Sequence, residues 1–536
     1  MDKVVIVGSG ASGVHFALSV LQKGYNVLML DIGHQGREVV NVSDTFMDLK
    51  SNLKDPVGYF LGDNLEGIFY PDSTSEFYGI PPSKTHVLAD LDESDVKTKG
   101  FSPLISFAQG GLAEAWTGGV YPFNNDELEH FPFRYKDIEP FYNEVAKRIG
   151  IAGITDDLSR FMPVHENLQS PLELDEHSTL LLSEYERQKS FLNGELGCYL
   201  GRSRSATLTR DSDGRHKCSY LGRCLWGCPS GAFYTPSITL QQCRAFPNFR
   251  YLEQMSVSHF KLNSNGRVKS VVARCLANNS IEDFPVDKLV LAAGTLSSSK
   301  IFLASLFKNR GEIVKLEGLM DNRQVLMPFV NFKMIGKPYD PNTYQYHQIA
   351  MGIEGDKPSE YIHALITTLK TASVHPIIEK LPFDLKTSIF LFRNLHAALG
   401  LVNVNFHDTR RDDNYLTLED QKNSSDPTLV VNYSPPLHEA NSIRKAVKKV
   451  KQCLWKLRCL VPPTMVHVRP MGASVHYAGT IPMSTKRNSL SSSELCQSHD
   501  FENLYMVDGT TFPFLPAKNI TFTLMANAVR VGARAF

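Results

Sequence analysis

The chain has 536 residues, 42% of them hydrophobic and 21% charged, and its Lys+Arg and Asp+Glu both number 56. That length exceeds what one compact core supports, so two or more domains are expected, and the even charge leaves no footprint for nucleic acid or an anionic membrane. Nine cysteines are too few for a disulfide scaffold, and the odd number implies at least one free thiol. Without a secretory signal or an apolar run long enough to span a bilayer, a cytoplasmic protein with no transmembrane segment is expected.

Lys3 to Gly33 reads KVVIVGSGASGVHFALSVLQKGYNVLMLDIG. Val4–Val7 predicts a buried strand, Val14–Gln22 has helical apolar spacing, and Val27–Leu30 predicts a second strand that ends on Asp31. Between strand and helix stands Gly8-Ser-Gly10-Ala-Ser12-Gly13, a G-x-G-x-x-G in the strand–turn–helix setting that a dinucleotide needs. Gly8 allows the tight turn, Gly10 lets a pyrophosphate approach the backbone, and Gly13 lets the helix pack on the strand. The free N–H groups and dipole of the helix N-terminus then favour the anion. Asp31 is placed to accept from ribose hydroxyls, and an acid there disfavours a 2′-phosphate, so FAD or NAD is expected over NADP. The competing reading is a glycine-rich turn in an ordinary α/β core.

Cys218, Cys224 and Cys228 follow as C-x5-C-x3-C, in a loop with Gly222, Gly227, Pro229 and Gly231. Glycines let such a loop curl around something compact, and the spacing is not that of a zinc knuckle. Ligation of a metal and a metal-free structural loop both remain open. From Phe249 to Gly294 the alternation of apolar and polar residues around Asn265-Gly266 predicts a β-meander returning to the nucleotide domain. Between about 307 and 466, runs such as QVLMPFVNFKMIG and EYIHALITTL predict the antiparallel sheet of a second domain. Pro376–Phe406 is unusually apolar but broken by Lys380, Pro382, Asp384, Lys386 and Arg393. It predicts a buried or dimer-facing segment, with contact to a membrane or a lipid-linked substrate as the alternative. Positions 443, 447, 450, 454 and 457 form the apolar stripe of an amphipathic helix with a solvated basic face.

The C-terminal run ENLYMVDGTTFPFLPAKNITFTLMANAVRVG (Glu502–Gly532) predicts a strand over Leu504–Val507, a Pro-rich loop and a helix over Ile520–Val531. With PMGASVHYAGTIPM upstream, it resembles the C-terminal region of the glucose–methanol–choline (GMC) flavin oxidoreductases. DKLVLAAGTLSSSKIFLAS (Asp287–Ser305) and ISFAQGGLAEAWTGGVYPF (Ile105–Phe123) are similar to that family's second FAD-contacting segment and its glycine-rich loop along the flavin. Four segments agree in the family's order.

The resemblance implies an α/β fold, a Rossmann-like FAD-binding domain interleaved with an antiparallel-sheet substrate domain. The first would take residues 1–35, 95–125, 235–310 and 465–536. The second would take 36–94, 126–234 and 311–464, with the cysteine loop 218–231. It implies His476 as general base and Asn519 as its partner in oxidising an alcohol, chemistry that a neutral imidazole and an orienting amide can perform. FAD would be held by Gly8, Gly10, Ser12, Gly13 and Asp31, by Gly110 and Gly111, by the backbone of Val257, and by Ala293, Gly294, Asp508, Gly509 and Thr521. The loop from Gly110 to Trp116 has no histidine for a covalent flavin bond, so FAD is expected to be non-covalent. Trp116 itself reads equally as a packing aromatic or as a contact to flavin or substrate. Some relatives carry a C-x5-C-x3-C segment that ligates a [3Fe–4S] cluster, which implies Cys218, Cys224 and Cys228 as ligands and an outside electron-acceptor protein. The expected substrate is a small-molecule alcohol, a sugar or sugar-containing compound above all. An oxygen-using oxidase of the same fold is the rival. A flavin electron-transfer or scaffold protein without turnover would need neither His476 nor Asn519.

Overall fold

Val4, Val5 and Ile6 have no solvent exposure and Val7 has almost none, because the strand Lys3–Val7 is the middle of a five-stranded parallel sheet. Asn26–Leu30 and Lys288–Leu291 flank it, and Phe249–Leu252 and Leu504–Met506 close the two edges. Successive side chains alternate between faces. Val4 and Ile6 pack into one core with the helices Ala11–Leu21, Tyr135–Ile149 and Thr521–Arg534. Val5 and Val7 enter a second core under the helix Thr295–Arg310. Two covered faces account for the near-continuous apolar runs of these strands. The computed structural model describes every residue except 1–2, 69–75, 77, 89–94, 370–374, 380 and 421–426, and omits the side chains of 375 and 376. Lys380 therefore lies outside the described residues.

The predicted meander is divided between two sheets. Met255–Leu262, Val268–Cys275 and Ile281–Pro285 pair antiparallel as a small sheet of their own, while the runs before and after them join the parallel sheet. The second domain is built on an antiparallel sheet in the order Gln324–Asn331, Leu399–Asn405, Ile362–Thr368, Ile349–Ile353 and Cys198–Arg202. Val325, Met327, Ala364, Ile366, Val402 and Val404 pack one face against the helix Glu439–Lys456, whose Ile443, Val450 and Leu454 are buried as its amphipathic spacing predicts. The other face carries His363, Asn403, Asn405 and Gln324 at the alternate positions. Val96–Lys99 pairs with Thr428–Asn432 in a separate four-stranded sheet, although it lies within a stretch expected in the nucleotide domain.

The apolar segment 376–406 is only partly interior. Its last residues form the central strand Leu399–Asn405. Before them the helix Leu385–Leu395 turns Leu385 and Phe390 outward, 67% and 65% exposed. Among the described residues no helix is long and apolar enough to cross a membrane.

Candidate functional site

The glycines of the opening turn act through space that only hydrogen leaves free. A Cβ on Gly8 would lie 2.6 Å from the Ala292 carbonyl oxygen, and one on Gly13 would lie 2.2 Å from that of Gly8. At Gly10 the same atom would meet nothing nearer than 3.9 Å, so the backbone faces open space there. Ser12 and Gly13 are in the first turn of the helix, whose N-terminus has no side-chain cap. Gly110 and Gly111, both with positive φ, close over the turn: a Cβ on Gly111 would be 3.5 Å from Gly10 Cα. Ser9, which the sequence reading passed over, ties the parts together. Its hydroxyl accepts from Gly110 N–H at 2.9 Å and donates to Asp31, which also accepts from the Tyr251 hydroxyl at 3.2 Å. Burial raises the Asp31 pKa to about 6. Glycine-made space, an uncapped helix N-terminus and a carboxylate fit the diphosphate and ribose of a dinucleotide such as FAD.

Other residues expected to hold the cofactor have supporting positions. Gly294, at φ +85°, has no heavy atom within 4 Å of where a Cβ would stand. Its N–H donates to Asp508 at 3.0 Å, and Ala293 N–H donates to the Ser298 hydroxyl. The Asp508 carboxylate is filled by Gly294 N–H, Ser298 and both donors of Thr510, so it braces the 293–298 turn. Gly509 passes so close to the Tyr477 carbonyl that a Cβ would sit 2.3 Å from it. Thr521 is the first residue of the C-terminal helix, which has no side-chain cap. Val257 stands at a break in the register of its strand. Trp116 donates to the Tyr234 carbonyl at 2.8 Å and packs on Phe233 and Tyr234.

An isolated antiparallel bridge, Met320 with Ala478, sets Asn322 opposite His476. His476 Nδ1 is 2.9 Å from Asn322 Oδ1. The Asn322 amide nitrogen donates to the carbonyls of Phe406 at 2.7 Å and Pro516 at 2.9 Å. Two carbonyls fix which end of the amide is the donor, so Oδ1 must accept from the ring. His476 therefore carries its proton on Nδ1 and presents an unprotonated Nε2. Burial lowers its pKa to about 4, which keeps the ring neutral at physiological pH. Asn322 also reaches the 516–519 loop, so one side chain links the backbone next to Asn519 to the histidine. A Cβ on Gly119 would lie 3.2 Å from Asn519 Oδ1 and 3.4 Å from His347 Nε2. Glycine there keeps a gap into which both polar atoms open.

Buried polar side chains hold this arrangement. Asp321 accepts from Gly472 N–H and the Ser474 hydroxyl, and that hydroxyl in turn accepts from His476 N–H at 3.1 Å. Val475 adopts φ +59°, rare for a β-branched residue. Backbone strain next to a functional side chain persists only where the surroundings over-determine it, and the Asp321 bonds do so. Beside Asn519, Lys518 is fully buried and spends its three hydrogens on Glu127 at 2.6 Å and on the Pro122 and Phe161 carbonyls, each at 2.8 Å. None of Asn322, Asp321, His347 and His363 was visible in the sequence, since each is an ordinary residue type outside any motif, and Ser9 fills a variable position of the glycine turn.

The cysteine loop brings Cys218, Cys224 and Cys228 together around one cluster without a formed metal site. All nine cysteines are free thiols, and among the described residues no group of three or more His, Cys, Asp or Glu could hold a metal ion. The residues present do not fit a metal centre at Cys218, Cys224 and Cys228. Cys224 is buried in an apolar cluster with Phe233, Tyr344 and Tyr346. Burial raises the Cys218 pKa to about 11 and that of Cys224 further, favouring thiol over the thiolate a cluster needs. Gly222 and Gly227 do bend the chain, but for close packing. A Cβ on Gly222 would lie 2.2 Å from the Pro341 carbonyl, and one on Gly227 would touch Val39.

Residues 410–528 match the C-terminal domain of the family described as GMC oxidoreductase. The chain is 23% identical to 2-methyl-1,2-propanediol dehydrogenase of Mycolicibacterium austroafricanum, over 99% of this chain and 94% of that protein. Pyridoxine 4-oxidase from Mesorbium loti superposes with a TM-score of 0.61 at 14% identity, covering 100% of this chain and 99% of the other. A variant of Aspergillus oryzae RIB40 formate oxidase gives 0.61 at 12% identity, over 99% and 97%. At these identities the solved structures speak to the fold.

Proposed function

We propose that this chain, which has the fold of the GMC flavin oxidoreductases and carries their C-terminal domain, oxidises the CH–OH group of a small-molecule alcohol with His476 as general base. The observation that carries the reading is the buried, neutral His476 with its tautomer fixed by Asn322. Held in the cradle of Gly8, Gly10, Gly13, Gly110 and Gly111, FAD supplies a hydride acceptor. The protein's own share is acid–base and positional. His476 Nε2 takes the hydroxyl proton, and Nδ1–H stays with Asn322. The Asn519 amide, which makes no hydrogen bond among the described residues, donates to the reacting oxygen and orients it. The absence of histidine from Gly110 to Trp116 supports non-covalent FAD. The GMC resemblance favours a sugar or sugar-containing substrate, and the relative named for a diol favours a small aliphatic one.

That relative is a dehydrogenase by name, which supports an electron acceptor other than oxygen. The two superposed structures are oxidases by title, which supports oxygen. Anaerobic screening of alcohols for bleaching of the bound flavin, followed by admission of air or an artificial acceptor, separates these. His476→Ala should retain FAD and lose roughly 10²–10⁴-fold in flavin reduction. Near-normal reduction in that variant would show that another group takes the proton.

A further inference from the structure

Three buried polar groups near the proposed base have no partner among the described residues. His363 has no solvent exposure, and neither of its ring nitrogens makes a hydrogen bond; His347 Nε2 and Asn403 Oδ1 are likewise unpaired. Buried polar atoms are almost always satisfied in native proteins, so several orphans in one neighbourhood mark the place of something polar that is not protein.

Strand register brings them together. His363 lies opposite Asn405, and Leu365 opposite Asn403, so His363 and Asn403 are diagonal neighbours on one sheet face. The opposite face is closed by Ala364, Ile366, Val402 and Val404. The His363 ring packs edge-on against Tyr121 with centroids 4.4 Å apart. Tyr121 belongs to the same loop as Gly119, which keeps the gap between Asn519 and His347. Burial holds His363 neutral, and Lys518, His347 and His476 are all close enough to add to that effect. The orphan face and the reacting groups therefore share one neighbourhood.

We propose that His363, with His347 and Asn403 beside it, forms a recognition subsite for a second hydroxyl on the alcohol substrate. A neutral imidazole offers one donor and one acceptor, and an amide oxygen offers an acceptor. A hydroxyl, which both donates and accepts, satisfies such a set. A carboxylate would ask for a free cation, and the nearby Lys518 has already spent its three hydrogens. A monoalcohol would leave the subsite unpaired, and sites built to bond a hydroxyl reject the analogue lacking it by up to about 10⁴–10⁵-fold.

The subsite rests on the alcohol-oxidation reading, and the test separates the two. Flavin reduction in the anaerobic holoenzyme is followed with propane-1,2-diol against propan-1-ol, and with cyclohexane-1,2-diol against cyclohexanol. The wild type should prefer the diols by more than about 100-fold in kcat/KM. His363→Phe puts a somewhat larger aromatic ring without nitrogens in its place, and should cut that preference at least about tenfold, mainly through KM. His363→Gln should restore part of it, and Asn403→Ala should lower it in the same direction should His363→Phe fail to fold. A wild type that treats diol and monoalcohol alike, or variants that lose both substrates equally, overturns the subsite and leaves alcohol oxidation standing. Flavin that no alcohol bleaches overturns both.

Discussion

Asn322→Asp tests how the His476 ring is held. The substitution is isosteric, but it replaces an amide whose nitrogen donates to the Phe406 and Pro516 carbonyls with a group that only accepts. Those carbonyls lose their donors, at a cost of ~1–3 kcal/mol each, so a lower Tm is expected. The larger effect is on the imidazole. A carboxylate takes the place of Asn322 Oδ1, 2.9 Å from Nδ1, and an opposite charge at that range favours the protonated ring by about 1–3 pKa units. His476 starts from a pKa of about 4. In the variant it should titrate nearer about 5–7, each unit being worth ~1.4 kcal/mol. The base would then be protonated where the wild type is fully active. The assay is anaerobic stopped-flow flavin reduction as a function of pH. In wild type, kcat/KM should stay level down to about pH 5 and fall below it. In Asn322→Asp, with flavin content verified, the acid limb should move up by one or more pH units. A variant whose limb stays where the wild type's lies would refute the Nδ1–H···Oδ1 pairing. A wild-type limb near pH 6.5 would refute the burial argument for His476.

Removing the charge beneath Asn519 should be costly only one partner at a time. Lys518→Met leaves Glu127 buried and unpaired and should lose ~3–5 kcal/mol by denaturant titration, whereas Lys518→Met with Glu127→Leu should recover most of it. His165 is buried with its pKa lowered to about 4. Because its folded pKa lies below the unfolded one, the unfolded chain takes the proton first. The stability it contributes is full above about pH 6.5 and lost as pH falls to about 4, ~3 kcal/mol in all. His165→Gln should accordingly gain on wild type across that window, and a constant difference in Tm would show that folded and unfolded chains bind the proton equally, refuting the lowered pKa. Protein prepared anaerobically with ample iron and sulfide should carry flavin without stoichiometric metal. About three irons per chain would show that the cysteine loop rearranges into a cluster site.

The sequence displayed what lies in short range and in patterned form. The glycine turn and Asp31 fall within one strand–helix–strand unit, so spacing alone placed them, and the amphipathic stripe at 443–457 marked its buried face. His476 was legible only through the company of the Pro-rich loop and the Asp508-Gly509 turn. The groups that set its chemistry were not. Asn322 meets His476 across 154 residues of chain, and Ser9 meets Gly110 across 101. No local pattern encodes such pairings, since each depends on which backbone segments the topology brings side by side. His347 and His363 have the same difficulty, because an imidazole inside a sheet looks like any core residue until its missing partners are seen. The cysteine loop was legible as a density of thiols and glycines, its ligand role came only from the GMC resemblance, and its glycines answer to the Pro341 carbonyl and Val39, both remote in sequence.

The parallel sheet has a consequence for how the chain is made. Its central strand, Lys3–Val7, is synthesised before every other strand of the sheet, whose neighbours and edges are supplied at residues 26–30, 249–252, 288–291 and 504–506. At about 5–20 residues per second, the last of these leaves the ribosome roughly 25–100 s after the first. Through that interval Val4–Val7 has apolar faces and strand edges that only later polypeptide can cover, the condition that favours intermolecular pairing. The helix Thr521–Arg534 then closes over Ala11–Leu21. A chain that stops translation before residue 504 would lack one sheet edge and the roof over the helix Ala11–Leu21. Such a product should be recovered in the insoluble fraction, and the nascent chain should depend on chaperones until residues 504–534 emerge.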